Sequence, residues 1–91
     1  MWYVYILLCK DGSFYTGISE NVENRLEIHN KGKGSKYTRA RGTVELLYVE
    51  QCGLKSKALR REIEIKSLSK KNKLNLIKFG TGKRFPSSIS I

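Results

Sequence analysis

The first twenty residues of this chain constrain its fold most, because they read as a β-hairpin. Two strand-like segments, WYVYILLC and FYTGIS, are joined by the short stretch KDG at residues 10–12. A three-residue loop with its glycine in the left-handed conformation is a common hairpin connection. This loop would set Cys9 opposite Ser13 and Tyr5 opposite Gly17. The alternative, a two-residue Asp-Gly turn, would slip the register by one residue and put the tyrosines on opposite faces.

The three-residue loop is favoured because its register sorts the hairpin into one apolar face and one tyrosine-bearing face. Side chains alternate across a strand, so every second residue shares a face. On the tyrosine-bearing face, Gly17 has no side chain and leaves space beside Tyr5. The apolar face, predicted to be a core, carries Trp2, Val4, Ile6, Leu8, Phe14, Thr16 and Ile18, and the other face carries Tyr3, Tyr5, Leu7, Cys9, Tyr15, Gly17 and Ser19.

The whole pattern predicts an α+β domain with a small three-stranded antiparallel sheet flanked by helices, in the order β-β-α-β-α-α. Glycines and charges in KGKGSKYTRARG indicate a loop after the first helix. In the second helix, Ser56 is a candidate cap, and Leu59 and Ile63 are expected to face inward. The predicted helices are NVENRLEIHNKG, capped by Ser19 or Asn21, then KSKALRREIEIKSLS, and then KKNKLNLIKFG, capped by Ser69; the third strand is VELLYVEQC.

A chain of 91 residues is expected to form one domain. We predict that this domain covers residues 1–80 and that residues 81–91 form a flexible tail, since TGKRFPSSISI has turn formers but no periodicity. No apolar run approaches the ~20 residues of a membrane helix, so no membrane partner is expected. Cys9 and Cys52 lack the spacing of metal ligands or of a disulfide framework, which favours buried thiols in a reducing cytoplasm.

The positive charge is concentrated in the second half of the chain. The net charge is +10; residues 1–54 contain seven Lys or Arg and six Asp or Glu, whereas residues 55–91 contain eleven and two. Such asymmetry favours a polyanionic partner, and we expect nucleic acid. A solvated lysine-rich surface explains the charge equally well when the charge is considered alone.

Four short motifs follow one another along the chain. They are YVY at residues 3–5, YTG at residues 15–17, Arg25 with His29, and ALRRE ending at Glu62. In order and spacing they resemble the GIY-YIG nuclease superfamily, and most closely its small stand-alone, single-domain members. The resemblance extends from Trp2 to about Ile77. It implies a nuclease fold and an activity that depends on a divalent metal ion.

The resemblance also implies a role for five residues. Tyr5 corresponds to a tyrosine that acts as a general base or positions the attacking water, and Tyr15 to one that helps to hold the phosphate or the water. Arg25 corresponds to the arginine that neutralises charge on the attacked phosphate. His29 corresponds to a residue that assists proton transfer or positioning. Glu62 corresponds to the glutamate that holds the divalent metal ion, Mg²⁺ or Mn²⁺.

The chemistry of phosphodiester hydrolysis agrees with these roles. The reaction needs an activated water and a cation on the phosphate oxygens. Arg25 and His29 are four residues apart and share one helical face, and a guanidinium can bind two phosphate oxygens. A lone glutamate suits magnesium, which keeps much of its hydration. A tyrosine with an ordinary pKa of ~10 is a poor base at neutral pH, so nearby cations or the metal would have to lower that pKa.

Each candidate also has a purely structural interpretation. The tyrosines could form ordinary cross-strand aromatic pairs. Arg25 could pair with a glutamate on its own helix, and Glu62 with Lys66 one turn along. His29 could lie at the helix end because the helix dipole favours it there. Glu64 is an alternative acid, although the ALRRE context favours Glu62. These alternatives weaken when five matching residue types recur in the family's order.

The sequence departs from the family pattern at several positions. Tyr3 and Val4 replace the glycine and isoleucine of the first motif, and Thr16 replaces the isoleucine of the second. These positions affect strand packing more than chemistry. A late asparagine of the family has two candidates, Asn72 and Asn75, and the sequence does not choose between them.

Two basic regions could contact a nucleic-acid backbone. The loop KGKGSKYTRAR could close over the backbone, with its tyrosine stacking on a base, or it could be a flexible basic linker. Lysines of the last two helices could follow the phosphates, which gives affinity without sequence preference. The predicted nucleic-acid-binding residues are Lys36, Tyr37, Arg39, Arg41, Lys66 and Lys70.

The sequence therefore predicts a metal-dependent endonuclease domain that hydrolyses phosphodiester bonds in DNA, with structured or damaged DNA among the expected substrates. DNA is favoured over RNA as the partner. Because the sequence carries no added DNA-binding module, a protein partner, a dimer or recognition of DNA shape would supply specificity. The alternative is a basic nucleic-acid-binding module without catalysis, in which the tyrosines are stacking platforms.

Overall fold

Four antiparallel strands and four helices form the part of the protein that the computed structural model describes, residues 1–42 and 44–85. The sheet has the order β2-β1-β3-β4, so β2 and β4 are its edge strands. The strands are β1 (Trp2–Cys9), β2 (Phe14–Ser19), β3 (Val44–Gly53) and β4 (Lys83–Arg84), and the helices are α1 (Val22–Asn30), α2 (Lys36–Arg41), α3 (Lys55–Lys66) and α4 (Lys70–Phe79).

The hairpin of β1 and β2 has the predicted loop and register. Gly12 has a φ of 85°, its N–H donates to the carbonyl of Cys9 at 2.9 Å, and the N–H of Cys9 donates to the carbonyl of Ser13 at 2.8 Å. Tyr5 pairs with Gly17 as expected. The left-handed glycine therefore places the tyrosines of both strands on one face of the sheet.

The sheet has a fourth strand, so the prediction of three strands in the order β-β-α-β-α-α is wrong. Lys83 and Arg84 pair with Val49 and Tyr48 at the outer edge of β3. Two exposed residues are too few for an alternating pattern, and their pairing depends on a partner far away in the sequence. This strand lies within the stretch 81–91 that the sequence assigns to a flexible tail, and residues 86–91 of that stretch are outside the described part of the chain.

The segment predicted to be one long loop contains the short helix α2. The side chain of Ser35 accepts a hydrogen bond from the N–H of Thr38 at 3.1 Å and so caps the helix. Six residues are too few to form a stable helix by propensity alone. Its stability comes from packing, because Thr38 is fully buried and Tyr37 packs against the buried cluster of Tyr5, Leu7 and Cys9. The glycines that indicated a loop flank this helix: Gly32 and Gly34 lie before it and Gly42 is its C-cap.

Helices cover both faces of the sheet, and the hairpin register decides what each layer buries. The first layer lies between the apolar hairpin face and the helices α3 and α4, which contribute Ile65 and Ile77. The second layer lies under α1 and α2 and buries Tyr5, Leu7 and Cys9. The predicted apolar face is therefore a core, and the tyrosine-bearing face is a second core with polar groups inside it.

The first and last predicted helices agree with the structure in extent and capping. The side chain of Asn21 accepts a hydrogen bond from the N–H of Asn24 at 3.0 Å at the start of α1. Ser69 caps α4 in the same way, accepting from the N–H of Asn72 at 3.2 Å. Helix α4 ends at Gly80, which is its C-cap.

Helix α3 presents a different face to the core from the one predicted. Leu59 is 42% exposed and Ile63 is 68% exposed, whereas Ala58 and Ile65 are fully buried. Residue 54, not Ser56, is the N-cap, and it makes no side-chain capping bond. The prediction is wrong because the inward face of α3 is mixed in polarity, and two of the three large apolar side chains of this helix lie on its outer face.

A polar network holds α3 and the segment after α4 to the sheet. The hydroxyl of the fully buried Tyr48 donates to Glu50 at 2.9 Å and accepts from the N–H of Gly82 at 2.9 Å. Glu50 also accepts from two guanidinium nitrogens of Arg61, at 2.9 and 3.3 Å. A two-point pair of this kind fixes orientation as well as distance. The network therefore ties α3, β3 and the segment around Gly82 together.

Both cysteines are free thiols. Cys9 is buried, and Cys52 is partly buried with its Sγ 3.6 Å from the carbonyl of Glu50. Burial raises the pKa of both thiols, so neither is an activated nucleophile at neutral pH. Among the described residues, no helix has the length and apolar character needed to cross a membrane.

Candidate active site

A buried hydrogen bond joins Tyr5 of β1 to His29 of α1. The phenol oxygen of Tyr5 lies 3.0 Å from Nε2 of His29, and each residue is only 1% exposed. His29 reaches this position because it lies on the inward face of α1 with Val22 and Leu26. The histidine is thus bonded to the sheet at the centre of the second layer.

Tyr15 of β2 completes an aromatic cluster around this pair. Its ring centroid lies 5.0 Å from that of His29 and 6.4 Å from that of Tyr5. Unlike the other two residues, Tyr15 is only partly buried. The second tyrosine therefore lies between the buried pair and solvent, where it can contact a substrate.

Gly17 makes room for the phenol of Tyr5. A Cβ atom at this position would lie 2.5 Å from the hydroxyl oxygen and 2.7 Å from the carbon that bears it. Such a contact is far below van der Waals distance, and the neighbouring ring of Tyr15 lies at 3.1 Å. The prediction that the missing side chain leaves space beside Tyr5 is confirmed.

Arg25 lies one helical turn before His29 and acts on both members of the pair. It donates to the carbonyl of Gly34 at 3.3 Å, which orients the guanidinium. It also lowers the pKa of the Tyr5 phenol, against the effect of burial. The side chain is partly exposed, so its remaining donors are available to an anion.

The environment keeps both Tyr5 and His29 neutral near pH 7. Burial raises the pKa of Tyr5 to about 12; Tyr15 and Glu62 act in the same direction, and Arg25 opposes them. Burial, followed by the charge of Arg25, lowers the pKa of His29. The shift of the phenol is opposite to the one a phenolate base would need. The resting pair is a phenol hydrogen-bonded to an imidazole, not an ion pair.

Helix α2 and the turn before it contact the other side of the His29 ring. Nδ1 of His29 lies 2.8 Å from Oγ1 of Thr38, which is fully buried. Gly34 lies directly against the ring, so closely that a Cβ atom there would collide with Nδ1. The sequence offered one signal for this arrangement, the capping residue Ser35 three positions before Thr38, but the glycines around it favoured a loop.

The aromatic residue of α2 packs against the tyrosine cluster. The ring of Tyr37 lies 5.8 Å from that of Tyr15, and the guanidinium of Arg41 lies 3.6 Å from its centroid. Arg41 also forms an ion pair with Asp11 at 3.1 Å, which connects α2 to the hairpin loop. Tyr37 and Arg41 therefore support Tyr15.

Glu62 of α3 lies close enough to Tyr5 to act electrostatically on its phenol. Its side chain is 18% exposed and forms an ion pair with Lys66 at 3.5 Å. Within the described residues, no three His, Cys, Asp or Glu side chains are grouped as metal ligands. A single carboxylate with access to solvent fits a largely hydrated Mg²⁺ or Mn²⁺, which takes few protein ligands.

The remaining basic candidates have different surroundings. Lys36 and Arg39 are exposed on α2. Lys70 donates to the carbonyl of Gly12 at 3.1 Å, so it is partly engaged within the protein. The structure thus brings Tyr5, Tyr15, Arg25 and His29 together, with Glu62 acting electrostatically on Tyr5. The predicted nucleic-acid-binding residues lie on α2, α3 and α4.

The fold and this convergence of side chains define a small α+β domain of the GIY-YIG kind. The family model for the GIY-YIG catalytic domain matches residues 1–75, and the chain belongs to the GIY-YIG family. The resemblance based on the four sequence motifs is confirmed. Membership of this family indicates nuclease activity and interaction with nucleic acid.

Individual relatives match this chain over most of their length. The UPF0213 protein of Staphylococcus saprophyticus is 51% identical over 78 residues, which are 86% of this chain and 95% of that protein. The UPF0213 protein of Oceanobacillus iheyensis is 53% identical over 77 residues, 85% and 90% of the two chains. The solution structure of the UPF0213 protein of Bacillus halodurans is 46% identical with a TM-score of 0.56, covering 89% of this chain and 88% of that one.

Proposed function

We propose that this protein is a metal-dependent endonuclease that hydrolyses phosphodiester bonds in DNA. The observation that carries the proposal is the buried Tyr5–His29 hydrogen bond with Arg25 beside it and Glu62 within electrostatic reach. A pair of proton-handling groups, a cation and a carboxylate are the groups that phosphodiester hydrolysis requires. A purely structural interpretation, as a solvated surface or an ordinary apolar core, does not explain why a tyrosine and a histidine are buried in contact with each other.

Tyr5 and Tyr15 orient the attacking water in this mechanism. The water gives its proton to the phenol oxygen of Tyr5 while the phenol proton moves to Nε2 of His29, so that no free phenolate forms. This route suits a phenol whose pKa is raised to about 12. Such a phenol does not ionise on its own near pH 7, and its oxygen accepts a proton from water only when its own proton leaves at the same time. Arg25 stabilises the negative charge that develops on the phosphate.

Glu62 is the residue that would hold Mg²⁺ or Mn²⁺. When bound, the ion would polarise the phosphate and stabilise the leaving oxygen. Lys66, which pairs with Glu62 at 3.5 Å, would then be released toward solvent or toward a neighbouring phosphate. The half-exposed position of Lys66 is compatible with such an exchange.

The charge distribution supports DNA as the substrate. Eleven of the eighteen Lys and Arg residues lie in 55–91, with two acidic residues, and exposed lysines give affinity for phosphates without sequence preference. Specificity would come from a structured or damaged DNA shape, from a protein partner or from a dimer. Free cysteines support a reducing, cytoplasmic location.

A cleavage panel with a matched control tests the proposal. Labelled duplex, single-stranded, flap and four-way-junction DNA, and the corresponding RNAs, are incubated with Mg²⁺, with Mn²⁺ and with chelator. The Glu62→Ala protein runs beside Glu64→Ala, a change of the same type on the same helix. Metal-dependent cuts that disappear only in Glu62→Ala would support the proposal, and the absence of cuts on every substrate would contradict it.

A second candidate is a nucleic-acid-binding module without catalysis. One observation favours it: Glu62 is already paired with Lys66, so that the carboxylate is neutralised without a metal. In that case the same panel would give salt-sensitive binding with no metal-dependent cleavage, and Glu62→Ala would leave the affinity unchanged or slightly higher.

A further inference from the structure

His29 is held at both ring nitrogens, and the second partner is a threonine that no sequence motif assigns. Nε2 faces the phenol of Tyr5 at 3.0 Å, and Nδ1 faces Oγ1 of Thr38 at 2.8 Å. Both partners are at most 1% exposed. A neutral imidazole carries one proton, so one nitrogen donates and the other accepts, and the partners decide which.

We propose that Thr38 is a positioning residue that fixes the tautomer of His29, with the proton on Nδ1 and the lone pair of Nε2 directed at Tyr5. Its catalytic consequence rests on the nuclease function proposed above. The tautomer itself does not, because it follows from the hydrogen bonds of the resting protein.

The contacts of Tyr5 give the first argument for this tautomer. Arg25, which also acts on the phenol, can only donate hydrogen bonds. The phenol proton therefore has Nε2 as its acceptor among the described contacts. With the proton on Nε2 instead, two donors would face each other or the buried phenol proton would lose its partner, and both arrangements are unfavourable for buried groups.

The contacts of Thr38 give the second argument. A threonine in a helix commonly directs its hydroxyl proton at a carbonyl three or four residues earlier. Oγ1 of Thr38 lies 3.5 Å from the carbonyl oxygen of Ser35 and 3.1 Å from Oγ of Ser35, and either can accept that proton. Oγ1 is then free to accept from Nδ1–H. One continuous direction of donation runs from Tyr5 through His29 and Thr38 to Ser35.

The backbone around α2 is shaped to deliver this contact. Ser35 caps the helix by accepting from the N–H of Thr38 at 3.1 Å, which fixes Thr38 in the first turn. Gly34 lets the chain pass directly against the imidazole, where a Cβ atom would collide with Nδ1. Three successive features of the α1–α2 connection, a glycine, a cap and a buried threonine, thus converge on one nitrogen.

The tautomer determines the direction of proton transfer. When Tyr5 takes a proton from water, its O–H bond breaks and an Nε2–H bond forms, while the Nδ1–H bond to Thr38 is unchanged. The imidazolium that results keeps two hydrogen-bond acceptors, Tyr5 and Thr38. The opposite tautomer would have no lone pair at Nε2 and could not accept the proton.

Nuclear magnetic resonance can read the tautomer directly, because His29 is the only histidine in the chain. A long-range ¹H–¹⁵N correlation of the ¹⁵N-labelled protein at pH 8, where the imidazole is neutral, distinguishes the protonated ring nitrogen from the unprotonated one. We expect Nδ1 to be protonated and Nε2 unprotonated. Protonated Nε2 in the wild-type protein would overturn the proposal.

Two variants separate the hydroxyl of Thr38 from its packing. Thr38→Val keeps the shape but removes the acceptor, and we expect the Nε2-protonated form to appear. Thr38→Ser keeps the hydroxyl, and we expect the wild-type tautomer. A folded Thr38→Val protein with an unchanged tautomer would show that Thr38 does not set it, and a Thr38→Ser protein with the Val behaviour would contradict the proposal as well.

Kinetics distinguish failure of this inference from failure of the proposed function. General acid–base groups typically contribute 10²–10⁴-fold to a rate, so we expect Thr38→Val to lower the single-turnover cleavage rate by about 10²-fold at unchanged DNA affinity, and Thr38→Ser to lower it only slightly. Protonated Nδ1 in a protein that cuts no substrate would uphold the tautomer and refute the nuclease. A normal cleavage rate in Thr38→Val would refute the positioning role alone.

Discussion

The phenol of Tyr5 and the imidazole of His29 lie 3.0 Å apart in the protein interior, although twenty-four residues separate them in the sequence. Burial raises the pKa of the Tyr5 phenol and lowers the pKa of the His29 imidazole, so both groups are neutral near pH 7. A catalytic acid or base is usually expected to have a pKa closer to neutrality. A neutral pair avoids the cost of burying two charges. It also keeps the proton on the donor until a substrate arrives.

Replacing Gly17 by alanine should damage both stability and activity. The added methyl group would lie 2.5 Å from the hydroxyl of Tyr5, so the ring must move away from His29. Overpacking of this kind typically costs about 1–3 kcal/mol. We expect the free energy of unfolding, measured in urea, to fall by that amount and cleavage to be lost.

The Tyr5→Phe background provides the control for this substitution. Removing the hydroxyl removes the nearest atom that the new methyl group would meet, so Gly17→Ala should cost less in Tyr5→Phe than in the wild type. The carbon that bore the hydroxyl remains 2.7 Å away, and part of the cost therefore persists. Additive effects in this double-mutant cycle would mean that the two residues are not in steric contact.

The stability of the protein should decrease as the pH falls below neutrality, because of His29. Its pKa is lowered in the folded state by burial and by Arg25, whereas in the unfolded chain it has the ordinary value near 6.5. As the pH falls through ~6.5, the unfolded state binds a proton that the native state does not. Stability is therefore complete above this range and is lost below it, by at most about 1.4 kcal/mol per pH unit for one proton.

Urea unfolding between pH 5 and 8 measures this slope, and His29→Gln is the comparison. The glutamine keeps hydrogen-bonding capacity but does not titrate, so its unfolding free energy should be flatter over the same range. Equal slopes in the two proteins would assign the pH dependence to other groups.

Removing the charge of Lys66 should make metal binding easier and DNA binding weaker. Its ammonium lies 3.5 Å from the carboxylate of Glu62, where it competes with a divalent cation. In Lys66→Met, we expect half-maximal cleavage at a lower Mn²⁺ concentration, together with a higher Kd for DNA measured without metal. Lys71→Met, an exposed change on α4, is the control for the Mn²⁺ requirement alone, because it removes the same charge from a different helix. An unchanged Mn²⁺ requirement would show that this ion pair does not affect metal binding by Glu62.

Tyr48→Phe should destabilise the domain by about 1–2 kcal/mol. The hydroxyl is fully buried and bonds both Glu50 and the N–H of Gly82, each at 2.9 Å, and phenylalanine leaves both without this partner. The free energy of unfolding and the hydrogen exchange of the Gly82 amide measure the loss. Faster exchange at Gly82 with no change in exchange within β1 would localise the effect, and wild-type exchange at Gly82 would exclude the bond.

The exposed basic residues of α2 should contribute affinity for DNA without contributing chemistry. We expect Lys36→Gln with Arg39→Gln to raise the Kd of a short duplex and to reduce the dependence of log K on log salt by about 1 for each phosphate that is no longer neutralised. Cleavage at saturating DNA should stay near the wild-type rate. Glu23→Gln, an exposed change on α1, serves as the control, and an equal loss of affinity there would rule out a specific role for α2.

The parts of the fold that could be predicted depend on local signals. The hairpin register followed from the loop containing Gly12, and the capping by Asn21 and Ser69 followed from side chains adjacent to their helices. Helix α2 and β4 could not be predicted, because each is too short to carry a period and each is stabilised by distant partners. The inward face of α3 was misassigned because two of its three large apolar residues, Leu59 and Ile63, are exposed.

The candidate site follows the same division. The motif residues could be identified by type and order, and the contact between Tyr5 and Gly17 followed from the register. The role of Thr38 could not, since it depends on a helix that was predicted to be a loop. The direction of the Tyr5 pKa shift could not be predicted either, because it depends on how deeply the phenol is buried, and sequence motifs do not show this.

The network from Gly82 through Tyr48 and Glu50 reaches Arg61, the residue immediately before Glu62. The backbone beyond α4 is therefore connected by hydrogen bonds to the helix that carries the candidate metal ligand, and it supports that helix. A shortened protein ending at Phe79 would keep every motif of the family and lose this support. The C-terminal boundary chosen for this domain therefore decides whether the helix that carries the candidate metal ligand keeps this support.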